Sequence, residues 1–226
     1  MKEKKLSVND FIGNLKECLV GSLPGVKAHL EFSPNIRIKD IESGIIPDNH
    51  KLSAILIIIY PHQGSLYTLV TLRNTYNGAH SGQISFPGGQ KENGDQTLFD
   101  TALREAHEEI GIHTQQLTYL GALTPFYVHP SRFLIYPYVV FCNHKPMLTP
   151  DSYEVKRIIE VDLLKDLENC HVVSKIFHTT ENSSFSAPGF MVSGEFMWGA
   201  SAMIINELMC IIKELTHKSE YDFTRL

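Results

Sequence analysis

Cysteine is scarce in this chain, with four in 226 residues, at positions 18, 142, 170 and 210. None belongs to a CxxC pair. That spacing excludes a small disulfide framework and a thiolate zinc site, and it predicts buried free thiols in a reducing compartment. Long apolar runs are missing as well. The longest, AILIIIY at 54–60, suits a buried strand and is far too short to span a bilayer. The first residues, MKEKKLSVNDF, carry charge but no apolar core, so they do not read as a secretory signal. The expected location is the cytoplasm, with no membrane partner. Nor is there an excess of basic residues. The formal net charge of −5 excludes a nucleic-acid binder that works by neutralising phosphates. It leaves room for an anionic small molecule if a metal ion supplies the positive charge.

What is present is ordinary globular material, 43% hydrophobic and 20% charged, in a length that suits one sizeable core with a small appendage. No internal repeat, low-complexity tract or linker interrupts it. Val8, Phe11, Ile12, Leu15 and Leu19 recur at helical spacing, which predicts a helix over 7–20. The stretch 21–37 is punctuated by Pro24–Gly25 and Pro34 and reads as loop. Two β-branched runs, 54–60 and 66–72, flank PHQGS and predict a hairpin. QISFPGGQ then reads as a short strand entering a glycine turn, followed by a helix over 97–110. Strands are expected over 117–128, 133–142 and within HVVSKIFHTT. PDSYEVKRIIEVDLLKDL reads as a strand turning into a short helix, and a strongly amphipathic helix closes the pattern over 200–215. Many strands, few helices and no strict alternation indicate an α+β chain.

The densest chemistry lies in LREAHEEIG, residues 103–111. At about 100° per residue, with Glu105 at zero, Glu108 falls at roughly −60° and Glu109 at roughly +40°. The three carboxylates therefore share one narrow face. Phe99, Ala102, Leu103, Ala106 and Ile110 form an adjoining apolar face that anchors the helix. Arg104 flanks the acids and is placed to fix a carboxylate rotamer. Like charges at these spacings destabilise a helix, so three of them call for compensation. A hard divalent cation, Mg²⁺ or Mn²⁺, provides it; a solvated acidic face is the plainer alternative. The preceding SFPGGQKENGD shifts the balance toward the metal. Gly88 and Gly89 let the backbone approach a ligand, and Pro87 stiffens the entry. The charges of KENGD read as loop charges.

These residues resemble the Nudix hydrolase family, whose box is G-x5-E-x7-R-E-U-x-E-E-x-G-U, with U a bulky aliphatic. Its second half matches REAHEEIGI at 104–112, with Ala106 at the first U. The first half departs. Asp95 stands where the first glutamate is expected when counting from Gly89, and Gln96 when counting back from Arg104. Asp95 either substitutes for that glutamate or caps the helix. Upstream, LVTLRNTYNGAHSGQISFPGG resembles the signature of the coenzyme A pyrophosphatase branch. Leu69, Thr71, Arg73, Gly82, Phe86, Pro87, Gly88 and Gly89 agree, while Val70, Asn74 and Gly78 depart. GEFMWGASAMII near the C-terminus also resembles that branch.

The resemblance implies an α/β/α sandwich around a mixed sheet, as one Nudix domain over 1–226 with residues 1–50 as a helix-and-loop extension. It implies hydrolysis of a nucleoside diphosphate derivative. In the named branch the substrate is coenzyme A, cut to 4′-phosphopantetheine and adenosine 3′,5′-bisphosphate. ADP-ribose, NADH or a dinucleoside polyphosphate is the rival substrate, and a non-catalytic nucleotide-binding regulator the rival class. Glu105, Glu108 and Glu109 are then the expected metal ligands. Glu108 or Glu109 is the expected proton acceptor, and Arg104 orients them. Glu154 is the candidate fourth carboxylate. Gly88 and Gly89 line the substrate site with His80 and Gln83, and Arg73 contacts either a substrate phosphate or a structural ion pair. Tyr127, His129 and Arg132 read first as packing residues, and Trp198 as core. A homodimer is expected by analogy alone.

Overall fold

The computed structural model describes residues 5–74, 82–165, 172–178 and 183–224. His80, Gly78 and Cys170 lie outside them. The centre is an eight-stranded sheet. Its main path runs β4 (Ile84–Ser85), β3 (Ser65–Arg73), β2 (Lys51–His62), β8 (Phe133–Cys142) and β6 (Leu117–Ala122). β5 (Gly88–Gln90) pairs with β2, β7 (Phe126–Val128) with β8, and β9 (Val155–Asp162) with β3. β2 and β8 run parallel, and the other pairs of this sheet are antiparallel, so the sheet is mixed. β2 and β3 turn tightly through Gln63 and Gly64, both at positive φ, as the twist of a two-residue hairpin demands.

The continuous apolar run at the start of β2 follows from burial on both faces. Ala54, Leu56, Ile58 and Tyr60 point to one side, where Ala102, Ala106 and Ile110 of helix α4 (Leu98–Ile110) meet them. Ile57 and Ile59 point to the other, into a larger core. That core is filled by α1 (Val8–Val20) and α5 (Gly199–Lys218). The result is an α/β/α sandwich around the mixed sheet.

The elements of this frame match expectation closely. Ser7 caps α1 and Thr97 caps α4, each in a reciprocal capping box with the aspartate three residues on. The differences lie elsewhere. The stretch 21–37 is not all loop: α2 (Val26–Glu31) forms in it, a turn of 3-10 helix follows at Asn35–Arg37, and α3 (Ile38–Ser43) continues the chain. Its prolines and glycines delimit short helices. The strand expected over 117–128 is broken between β6 and β7; β9 runs into a turn at 163–165, and the end of the short helix expected there lies outside the described residues. A second sheet joins β10 (Val173–His178), β11 (Ser184–Val192) and β12 (Glu195–Trp198). Here Trp198 is half-buried and stacks on Phe177, with ring centroids 4.2 Å apart. Finally β1 (Leu6–Ser7) pairs in parallel with β13 (Tyr221–Asp222). Cys142 is buried as expected, but Cys18 and Cys210 are only half-buried.

One polar cluster ties the N-terminal helices to the frame. Glu207 of α5 is fully buried. Its carboxylate lies 2.9 Å from Nε2 of His29 on α2, and it accepts from the Thr124 hydroxyl at 2.6 Å and the Gly25 amide at 3.0 Å. Next to it, Asn206 donates to the Ala28 carbonyl at 2.9 Å. Burial pushes the Glu207 carboxyl up, but the hydrogen bonds from His29, Thr124 and Gly25 outweigh it and hold the group below its usual value.

Glu207→Ala strands a buried imidazole, a hydroxyl and an amide. Its expected cost is about 3–5 kcal/mol, and the midpoint of thermal unfolding falls by on the order of 10 °C. An unchanged midpoint contradicts the clip. Because the folded carboxyl is depressed, its contribution is complete above the unfolded value of about 4.3 and is lost as pH falls below it. The stability difference between wild type and Glu207→Gln is therefore flat from neutral pH to about 5 and narrows below about 4.

Candidate active site

Helix α4 lies against β2 and β5, which brings its acidic face under Gly88 and Gly89; these form the start of strand β5, paired with Ile55 and Ala54, and not the turn expected. The wheel puts all three glutamates on one face, but the structure separates them. Glu109, nearest the apolar stripe, is 2% exposed. Glu105 is half-buried, and the Glu108 side chain, on the far flank, is 57% exposed.

Each acid has its own partners. Glu109 accepts from the Gly88 amide at 3.2 Å and pairs with Arg73 at 3.3 Å. Burial is the main force on its carboxyl and pushes it up to about 7, against the pull of Arg73 and Gly88. Glu105 is also raised, first by burial, although Arg104 pulls the other way. The backbone passes close above them. A Cβ on Gly89 would run into the Glu105 carboxylate, and one on Gly88 into the backbone of Ala54 and Ile55.

Arg104 holds the assembly together. Its Nε and one terminal nitrogen donate to the two oxygens of Asp95 at 3.0 and 3.1 Å, and the latter nitrogen also donates to the Gln90 carbonyl at 3.1 Å. The other terminal nitrogen sits 3.0 Å from Glu105 and 2.9 Å from Glu108. Asp95 is neither the helix cap, which is Thr97, nor a loop charge. It is buried, accepts from the Thr101 hydroxyl at 2.9 Å and the Glu92 amide at 2.9 Å, and its carbonyl accepts from Lys91 at 2.7 Å. The Arg104 guanidinium, first among its donors, holds the Asp95 carboxyl far below the usual carboxylate range.

The remaining expected residues fall as follows. Arg73 is engaged in ion pairs, with Glu109 and, at 3.9 Å, with Glu154. Glu154 therefore stands beside the acidic face, at the start of β9, and its charge reaches both Glu105 and Glu109. The Gln83 carbonyl accepts from the Arg73 amide at 3.0 Å, and the residue lines the adjoining cavity. Tyr127 and His129 also line that cavity, in edge contact at 4.7 Å, whereas Arg132 sits in a turn at positive φ.

Among the described residues, no three acidic, histidine or cysteine side chains form a ready-made metal cage. The donors nevertheless suit a hard divalent ion. Two carboxylates, both raised by burial, lie under a strand start that lacks Cβ atoms, and oxygen is their only donor type. Such an ion takes the place of the protons that burial otherwise favours.

A cavity of about 650 Å³ adjoins this site. Arg73, Gly88 and Gly89 are among the residues that line it, and Glu105, Glu108 and Glu109 are not. Its walls include residues that sequence reasoning missed: Ile36, Ile41 and Ile45 from the presumed loop, and Phe185 from a strand left unassigned. The spacing of Ile38, Ile41 and Ile45 was the available signal for a helical face there.

Comparison with known proteins gives the family. The NUDIX domain model matches residues 50–176. Mouse peroxisomal coenzyme A diphosphatase NUDT7 is 34% identical over 110 residues, which span 49% of this chain and 46% of that one. Mouse mitochondrial coenzyme A diphosphatase NUDT8 is 30% identical over 157 residues, 67% of this chain and 73% of that one. The uncharacterized Nudix hydrolase NudL of Photorhabdus laumondii is 30% identical over 166 residues, 72% of this chain and 86% of that one. With more than half its length inside the domain match, this chain belongs to the Nudix hydrolase family.

Proposed function

We propose that this hydrolase cuts the diphosphate bond of coenzyme A or its derivatives, giving 4′-phosphopantetheine and adenosine 3′,5′-bisphosphate, with Mg²⁺ or Mn²⁺. The observation that carries the reading is the buried Glu109 and half-buried Glu105 beneath Gly88–Gly89, with Arg73 beside Glu109. The substrate rests on the run at 69–89 and on the diphosphatases named above.

Glu105, Glu108 and Glu109 would hold the ion, and Glu154 is close enough to join them. A bound divalent cation supplies charge screening at the diphosphate and acidifies water. The chain does the rest. Water attacks one phosphorus, the bridging P–O bond breaks, and the bridging oxygen leaves with the other phosphate. Glu109, buried beneath Gly88, takes the proton. Arg104, pinned by Asp95, keeps Glu105 and Glu108 turned toward the site. Arg73 offers its guanidinium to a phosphate oxygen once substrate enters.

The direct test is a panel of coenzyme A, NADH, ADP-ribose and a diadenosine polyphosphate with each metal. Release of adenosine 3′,5′-bisphosphate from coenzyme A is expected. Brisk cleavage of ADP-ribose with coenzyme A untouched would transfer the function to the rival substrate class. Glu109→Gln is expected to lower kcat by about 10²–10⁴, and the half-exposed Glu108→Gln by less. Equal losses contradict the division of roles. Asp95→Asn touches no substrate, yet its expected loss in metal affinity or turnover is about 10–100-fold, read from a metal titration of the rate.

A further inference from the structure

Arg73 ends β3, where the register with β9 shifts between Leu72 and Arg73. An irregularity of this kind re-aims the side chain beside it, and here the guanidinium reaches the acids of α4. The backbone around it is fixed. The Arg73 amide donates to the Gln83 carbonyl at 3.0 Å, and the Asn74 amide to the Glu154 carbonyl at 3.0 Å. The Asn74 side chain donates to the carbonyls of Ser152 and Tyr153 at 2.7 and 3.0 Å. The same turn is tied to α4, because the Asp151 amide donates to the Glu109 carbonyl at 2.9 Å. Arg73, Glu109 and Glu154 therefore keep their backbone places, and rearrangement among them is left to the side chains.

Among the described residues, Arg73 and Arg104 pair with the acids of this site, and they are held differently. Arg104 is locked onto both oxygens of Asp95 and onto the Gln90 carbonyl. Arg73 meets Glu109 at 3.3 Å and Glu154 at 3.9 Å, both longer than the roughly 2.7–2.9 Å of a strong charge-assisted bond. Glu109 has one oxygen on this guanidinium and the other on the Gly88 amide. The amide belongs to strand β5 and stays. The guanidinium ends a long side chain. A divalent cation that reaches Glu109 thus meets a positive charge already seated there, and the two repel at close range.

Resting on the metal-dependent reading above, we infer that Arg73 is an exchangeable counter-ion of the metal face. It neutralises Glu109 and Glu154 while no ion is bound, and it yields both carboxylates when a divalent cation arrives. Arg104 does not exchange, so the site keeps one permanent guanidinium and one that gives way. Once displaced, the Arg73 guanidinium is available to a phosphate oxygen. Arg73 is in this respect a positioning residue whose charge lowers the affinity of the empty site for its metal.

The test is an electron paramagnetic resonance titration of Mn²⁺, without substrate, against wild type, Arg73→Gln and Arg73→Lys, with a thermal midpoint to check folding. In Arg73→Gln the Mn²⁺ dissociation constant is expected to fall at least about tenfold. Arg73→Lys keeps the charge but loses the planar fork that spans two carboxylates, and a fall of about threefold is expected. An unchanged or weaker affinity in Arg73→Gln overturns the inference, and equal tightening in both variants removes charge as the cause and overturns it as well. If Arg73→Gln does not fold, Arg73→Lys decides alone: tighter binding supports the exchange, and unchanged or weaker binding overturns it. Coenzyme A left uncut by the wild type removes the substrate and leaves this inference standing, because Mn²⁺ is measured alone. Mn²⁺ bound equally by wild type and Arg73→Gln overturns the inference and spares the metal. No Mn²⁺ bound by any of the three overturns both.

Discussion

The site depends on one guanidinium. A helix that places glutamates at i, i+3 and i+4 opposes its own charges, and burying two of them makes the opposition worse. Arg104 resolves this from within the same helix. Its planar fork is locked onto both oxygens of Asp95, which leaves a terminal nitrogen free to reach Glu105 and Glu108 at once. A lysine at this position offers no second fork. The turn of Glu92–Asp95 exists to bring a short carboxylate to that fork, and the Thr101 hydroxyl and Glu92 amide saturate what remains of it.

The balance is incomplete by design of the burial. Glu109 and Glu105 stay raised after all their local partners are counted. A group in that condition favours either a proton or a cation, and both are what hydrolysis of a diphosphate needs. The rigid frame below makes such a cost sustainable. β2 is buried on both faces, α4 is anchored by Ala102, Ala106 and Ile110, and Gly88 packs against the backbone of Ala54 and Ile55 more closely than a Cβ permits.

Much of this was legible in the sequence, for physical reasons. α4 announces itself by two periodicities at once, one of alanine and isoleucine and one of glutamate, and Thr97 and Gly111 mark its ends. The both-faces strand β2 reads from its unbroken apolar run. The wheel orders the glutamates by distance from the apolar stripe, and the burial of Glu109 against the exposure of Glu108 follows that order. What failed depended on contacts distant in sequence. Asp95 meets Arg104 across a turn and a helix start, so no local rule distinguishes it from a cap or a loop charge. Glu207 and His29 are 178 positions apart. The short helices α2 and α3 hide among prolines and glycines, because α2 is held by α5, and α3 by packing on α2, rather than by their own propensity.

The central claim is that the buried acids of α4 bind a divalent cation. Electron paramagnetic resonance titration of free Mn²⁺ against the protein measures this without turnover. The account predicts a site in wild type that is lost or weakened by at least about tenfold in both Glu105→Gln and Glu109→Gln. Mn²⁺ binding left intact by both substitutions would contradict it.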